Sequence, residues 1–422
     1  MINAQPLSRF EPLGGGLLRP IYADYSFGNI ANTIEYLLTG ADEGARLPAD
    51  CFGGSYPRPQ KLVLFFVDSF GWQFWCQYRH RFRTLNQVCE HGTLTPISAL
   101  FPSTTAASVS TLNLGVLPAQ HALYEWNIYI PAYGEVIQSL AFTPLGRHPP
   151  DACLALGYDP GKLVEVHETL HQRLARAGVR SIQFAHRSYA GSAYNRVASA
   201  GAQIVRHGTL AEALVQLKAA LLETSGKALF GFYWAAIDTI AHIYGPGSSY
   251  HAAEIANFWH TVDAIFSDLP VDDTLYLFTA DHGQVAADAA ATLYLNERFP
   301  ALADCLPTSP SGHPIYPNGS PRDVFLHVRP ERREAVQALL ERELKAEAMV
   351  LPMAAALRLG LFGPRPVSDE LRRRLGDILI LPYLGQFIWW RQPGRLENTF
   401  HGHHGGLTAE EITTVIGAST RL

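Results

Sequence analysis

The chain has 422 residues, 47% hydrophobic and 17% charged. That balance excludes a disordered chain and leaves room for two or three domains, or for one large core with an insertion. A formal net charge of −5, from 38 acidic and 33 basic side chains, excludes a general nucleic-acid binder or a polybasic membrane clamp. Five cysteines without CxxC spacing exclude a disulfide framework and a four-cysteine zinc site.

No apolar run approaches the roughly 18 residues that span a bilayer. Met1-Ile-Asn-Ala-Gln-Pro6 lacks the basic and apolar regions of a secretory signal. The expectation is a cytoplasmic protein with no membrane span.

Residues 1–60, rich in Gly, Pro and aromatics, read as an irregular lead-in with a short helix near Asn29–Leu38. Lys61–Val67 is a continuous apolar run, the pattern of a strand buried on both faces. Ala228–Ile237 and Thr274–Ala280 repeat it. Between them, Val164–Ala177 and Leu210–Leu222 have helical spacing and stop at Gly178 and Ser225-Gly226. Ser181–Ala185 and Gln203–Val205 read as short strands.

Buried strands alternating with amphipathic helices predict an α/β fold, a mostly parallel central sheet flanked by helices on both faces. The stretch 291–395 differs. It is dense in Pro and Gly over 300–321, then carries a half-exposed strand at Arg322–Val328 and a charged helix at Glu331–Glu347. It reads as a smaller α+β cap inserted into a core of 1–290 and 396–422.

The residues after each buried strand point to chemistry. The first run ends in Asp68, the second in Asp238 with His242 four residues on, and the third in Asp281-His282-Gly283. Ligands gather outside the carboxyl ends of strands in such sheets. A single Asp after a strand commonly caps a turn. Three together repel one another when desolvated, and divalent cations relieve that repulsion. Mixed His and Asp ligands suit zinc or manganese better than calcium. A late tract, His401-Gly-His-His404-Gly-Gly, offers a further ligand, and its glycines let the backbone approach a site closely. Phe101-Pro-Ser-Thr-Thr105 places hydroxyls before a helix, where they serve as caps or, activated by a metal, as a nucleophile.

The ordered set Asp68, Phe101-Pro-Ser-Thr-Thr105, Asp238-x-x-x-His242-x-x-Gly-Pro246, Ala-Asp281-His282-Gly and His404-Gly-Gly resembles the alkaline phosphatase superfamily. Within it the chain is most similar to type I phosphodiesterase/nucleotide pyrophosphatases and phosphonoacetate hydrolases. The resemblance implies an alkaline-phosphatase-like fold and two divalent metal ions, zinc by preference and manganese as the alternative. One would be held by Asp238, His242 and His404, the other by Asp68, Asp281 and His282. His403 is a candidate for orienting a ligand.

Thr105, rather than Thr104, matches the family's nucleophile, and its spacing to His121 agrees with the family's Thr-to-His-Gly interval. Two departures stand out: Ala122 occupies the Gly position, and Trp126 the position of an Asn that binds a phosphate oxygen. Asn127, one residue on, is the expected stand-in. Tyr124, Trp126 and Tyr129, like Trp72, Phe74 and Trp75, either stack on a base or, as aromatics more often do, pack in the pocket wall.

The implied reaction is attack by Thr105 on phosphorus, a covalent threonine intermediate and release by water with net retention. No Lys or Arg lies between Leu94 and Ile130. A second anionic oxygen would want such a charge, so a phosphodiester or pyrophosphate bond is expected. The expected partners are small phosphodiesters, nucleotides or phosphonates, with no stable nucleic-acid partner. The alternatives are a phosphomonoesterase or phosphonate hydrolase of the same superfamily and, from a different class, an inert metal-binding module. Thr105 argues against a sulfatase, which matures a Cys or Ser.

Overall fold

The computed structural model describes the chain except residues 147, 166–167, 268–272 and 311. The central sheet runs Thr93–Ser98, Thr413–Ser419, Thr274–Thr279, Lys61–Val67, Ala228–Trp234, Arg180–His186, Gln203–His207. The last five are parallel, while Thr413–Ser419 is antiparallel to both its neighbours.

Pleating divides each run between two cores. Val63, Phe65 and Val67 share one with Leu214, Leu217, Phe258 and Val262, from helices Leu210–Glu223 and Ser249–Phe266. Leu62, Leu64 and Phe66 share the other with Ile34, Leu38, Leu170 and Leu174, from helices Ile30–Thr39 and Leu170–Arg176. Both faces are therefore covered, which is why the runs are apolar throughout rather than alternating. Lys61 is level with Ala228 and with Thr274, so the three strands finish at one edge.

Three expected elements change extent. The run Ala228–Ile237 stops as a strand at Trp234, and helix Ala236–Tyr244 follows. Asp238 thus lies in the first turn of a helix, one turn before His242. The helix expected over Val164–Ala177 is Leu170–Arg176, begun by a Thr169–Gln172 capping box; residues 166–167 fall outside the described part. Arg322–Val328, expected to be half exposed, contains strand Asp323–Leu326 with all four residues buried. Its two faces serve different cores, Val324 and Leu326 one and Phe325 the other.

That strand belongs to a second sheet, ordered Ala348–Pro352, Ile378–Pro382, Asp323–Leu326, Asn318–Ser320, Asn127–Ile130, Glu135–Gln138, Thr143–Pro144. Helix Arg333–Glu343 packs on it through Val336 and Leu340. One ion pair ties the sheet to the His401–Gly406 tract. Buried Arg322 donates from Nε to Glu411 Oε1 at 2.9 Å and from Nη2 to Oε2 at 2.8 Å. Glu411 Oε1 in turn accepts from Gly406 N at 3.0 Å.

Several buried histidines are structural. Burial pushes His121 down to about 3, and His171, His251 and His327 down to about 4. Their native pKa lies below the ordinary value of 6.5. The unfolded chain therefore takes up protons that the native state refuses. Stability is full above about pH 6.5 and falls as the pH drops toward 4, by roughly 1.4 kcal/mol per pH unit for each group. His327 Nε2 donates to Arg374 O at 3.2 Å, a bond glutamine can replace. Urea titrations between pH 7.5 and 4.5 should therefore show a shallower acid loss for His327→Gln than for the wild type.

Candidate metal centre

Each residue at the sheet edge is placed by a local feature. Helix Thr105–Leu114 begins at Thr104, an extended N-cap whose hydroxyl accepts from Ala107 N at 3.4 Å and donates to Tyr124 O at 3.0 Å. Ser103 Oγ donates to Gly406 O at 2.8 Å and accepts from Gly405 N at 3.1 Å. Both hydroxyls are engaged by structure. Thr105, the first helical residue, presents its own to the cluster, 3.3 Å from Asp68 Oδ2 and 3.4 Å from His282 Nε2.

Asp238 and His242 face the same direction one helical turn apart, Oδ2 lying 3.3 Å from Nε2. His404 arrives on the glycine-bounded tract, its Nε2 3.1 Å from His242 Nε2 and 3.8 Å from Asp238 Oδ1. The His282 and His404 rings stack with centroids 3.6 Å apart. Only glycine fits after His282, because a Cβ at Gly283 would meet Glu410 O at 2.0 Å.

Two groups of donors result: Asp238 with His242 and His404, and Asp68 with Asp238 and His282, the atoms of each group within 4.8 Å of one another. Asp238 reaches both. Asp281 stands just outside the second group, with Oδ2 3.3 Å from His282 Nε2. Its Oδ1 accepts from Ser69 N at 3.2 Å and His282 N at 3.1 Å.

The tautomers fit a cation. Each imidazole has its Nδ1 against a carbonyl: His242 on Gly402 O at 2.7 Å, His404 on Ser103 O at 2.9 Å, His282 on Gly283 O at 3.1 Å. A carbonyl only accepts, so Nδ1 carries the proton and the neutral ring leaves a lone pair on Nε2. The Nε2 lone pairs of His242 and His404 then face each other. Asp68 Oδ1 and Asp281 Oδ2 are buried without a hydrogen-bond partner. Converging lone pairs and orphaned carboxylate oxygens are costly unless a cation joins them.

Without a cation the acids and imidazoles shift one another: against the effect of burial, Asp238 raises His242 above an ordinary imidazole. Burial, then Asp281 and Asp238, push Asp68 well above its usual range. Burial also works against Asp238, but His242 and His404 outweigh it and hold Asp238 low. Burial, then His282, hold His404 far below an ordinary imidazole.

The other predicted residues have varied surroundings. Asn127 opens a strand of the second sheet, and its Nδ2 donates to Gly319 O at 3.1 Å; among the described residues, no hydrogen bond joins it to the cluster. His403 is buried beside His242, with ring centroids 5.4 Å apart. Tyr124 is buried on Asn318 and Arg374, and Tyr129 packs against His327. Trp75 and Phe74 lie in the core and Trp72 packs against it. Of these aromatics only Trp126 is exposed.

Three participants escape sequence reasoning. The Tyr233 hydroxyl donates to Asp68 Oδ2, and Gln284 Nε2 donates to Asp238 Oδ1 at 3.1 Å. Glu125, only 2% exposed, is pushed up to about 8 by burial, against the pull of the Trp126 and Asn127 amides and of His242. Tyr233 carried a weak signal, lying at the end of a buried strand. The other two carried none.

The mixed sheet, the helices on both faces and the edge they leave make this an alkaline-phosphatase-like α/β fold. The sequence model described as "Type I phosphodiesterase / nucleotide pyrophosphatase" matches residues 62–407, and the chain belongs to that family of phosphoester hydrolases. Solved structures agree in fold. Murine ectonucleotide pyrophosphatase/phosphodiesterase 5 superposes with a TM-score of 0.64 at 15% identity, covering 85% of this chain and 88% of that one. An inactive threonine-to-alanine variant of the murine protein, in complex with AMP, gives 0.63 at 13% identity, with 86% and 88% covered. The human protein gives 0.61 at 14%, with 86% and 87% covered. A search of curated protein sequences returns no match.

Proposed function

We propose that the protein is a two-metal phosphodiesterase that works through a covalent threonine intermediate. The carrying observation is the Thr105 hydroxyl, the one member of the Ser103–Thr105 set turned to both Asp68 and His282. One cation would be held by Asp238, His242 and His404. The other would be held by Asp68, His282 and Asp281, with Asp238 in reach of both. The nitrogen and oxygen donors suit zinc, with manganese the alternative. Bound there, the metals would supply charge neutralisation at the attacking and leaving oxygens of an in-line displacement.

The chain's own part is positional. The Thr104 cap and the first turn of helix Thr105–Leu114 set Thr105 Oγ at the edge, where free backbone amides favour an anion. Thr105 Oγ bonds to phosphorus as the bond to the leaving alcohol oxygen breaks. Water then cleaves the phosphothreonine from the opposite side and returns the hydroxyl. The inactivity of the murine threonine-to-alanine variant, and its complex with AMP, support a threonine nucleophile and a substrate of nucleotide type.

A diester is favoured because the candidate cations are occupied elsewhere. Arg187 pairs with Glu212 and Arg322 with Glu411. With zinc-loaded protein, bis-p-nitrophenyl phosphate should be hydrolysed with a higher kcat/KM than p-nitrophenyl phosphate. A preference for the monoester would overturn the diester reading.

Metal should also stabilise the fold. Elemental analysis should find two metal ions per chain. At 100 times the dissociation constant, a single bound ion adds about 2.7 kcal/mol. Chelation should therefore lower the Tm, and zinc should restore it. An unchanged Tm on chelation would argue against a metal-organised site.

A further inference from the structure

Phe400 is an exposed aromatic that lies against the candidate metal donors. Its ring centroid is 4.8 Å from that of His242 and 5.8 Å from that of His403, yet 41% of the residue is accessible. Single exposed apolar residues are ordinary on surfaces. This one is held on both sides.

Before it, Asn398 is pinned three ways. Its Nδ2 donates to Thr292 Oγ1 at 2.9 Å, its backbone N to Tyr294 Oη at 3.2 Å, and its Oδ1 accepts from Phe400 N at 3.2 Å. After it, His401 N donates to His242 O at 2.8 Å, and His401 O accepts from Ala287 N at 2.8 Å. The backbone around Phe400 is thus tied to the helix that carries Asp238 and His242, and the ring is fixed against a donor of the first metal group.

The surroundings select the chemistry. Ile243, next on that helix, is exposed as well. Among the described residues, no Lys or Arg side chain hydrogen-bonds to His242, Phe400, His403 or His404, and none lies over the Phe400 ring. A further phosphate in this position would find no Lys or Arg side chain hydrogen-bonded to these residues. An apolar or aromatic group would find a preorganised wall, and a fixed ring contributes contact without paying ordering entropy.

We infer that Phe400 is a specificity-determining residue that packs against an uncharged apolar or aromatic ester substituent of the phosphodiester, and so favours such diesters over pyrophosphates with a second charged group. This rests on the phosphodiesterase reading of the site.

The test compares wild type, Phe400→Ala and Phe400→Trp, all zinc-loaded, on bis-p-nitrophenyl phosphate and methyl p-nitrophenyl phosphate, with metal content measured for each. The expected result is a loss of about tenfold in kcat/KM on at least the bis-aryl ester for Phe400→Ala. Most of that activity should be retained by Phe400→Trp, with metal content equal in all three. Unchanged activity in Phe400→Ala would overturn the inference. So would equal losses in both variants, or a loss that tracks falling metal content, because those mark a merely structural residue. Failure of the wild type to hydrolyse either diester would instead overturn the phosphodiesterase reading itself.

Discussion

Thr105→Ala should lower kcat/KM on bis-p-nitrophenyl phosphate by roughly four orders of magnitude or more, the scale seen when a covalent nucleophile is removed. Its metal content should stay at the wild-type level. The reason is the division of labour among three adjacent hydroxyls. Ser103 locks the Gly405–Gly406 backbone, Thr104 caps the helix, and Thr105 is turned to Asp68 and His282. Thr104→Ala should behave differently. It removes a cap, costing about 1 kcal/mol of stability, while leaving the attacking oxygen in place. Thermal unfolding and steady-state kinetics on the two variants separate the roles. Full turnover in Thr105→Ala with metals bound would refute the covalent route.

Arg322→Met should be the most destabilising single change at the junction between the two sheets. Arg322 and Glu411 have fully buried side chains and meet through two parallel bonds. Burial by itself would raise Glu411, but Arg322 and the Thr408 and Gly406 bonds hold it low and ionised. Removing the guanidinium strands a carboxylate in the interior, at a cost of about 3–5 kcal/mol. The double variant R322M/E411Q should recover a large part of that loss, since no charge is left behind. Chemical denaturation of the single and double variants checks both statements. Glu411 also accepts from Gly406 N, so Arg322→Met should weaken metal binding too, by loosening the tract that delivers His404.

The sheet was legible because its strands are covered on both faces, so Lys61–Val67 and Thr274–Thr279 read as unbroken apolar runs. The same rule hid the end of Ala228–Trp234, since the following helix is as apolar as the strand. Asp323–Leu326 was harder. Its charged first residue suggests exposure, and nothing local reveals that a second sheet covers it with cores on both sides.

At the site, ligand chemistry concentrates in residue types that stand out, and Asp238, His242 and His404 do meet. What stayed hidden depends on long-range register. Glu125, Tyr233 and Gln284 gain their positions from loop and strand packing, not from spacing. Ala122 illustrates the converse. It takes the left-handed conformation, φ +62°, which suits the glycine that the family resemblance leads one to expect there, while its own side chain gives no hint of it.

The strand Thr413–Ser419 lies between two others rather than at an edge. Ala99 N donates to Ile412 O, just before it, and His404 enters shortly upstream. Asp68 is contributed more than three hundred residues earlier. During synthesis, therefore, the nascent chain can form most of its parallel strands while one donor group still lacks a member. The sheet also stays split beside Thr274–Thr279 until the late strand slides in. Assembly of the candidate metal centre is in this way timed to the completion of the fold: a partly made chain still lacks the His404 donor.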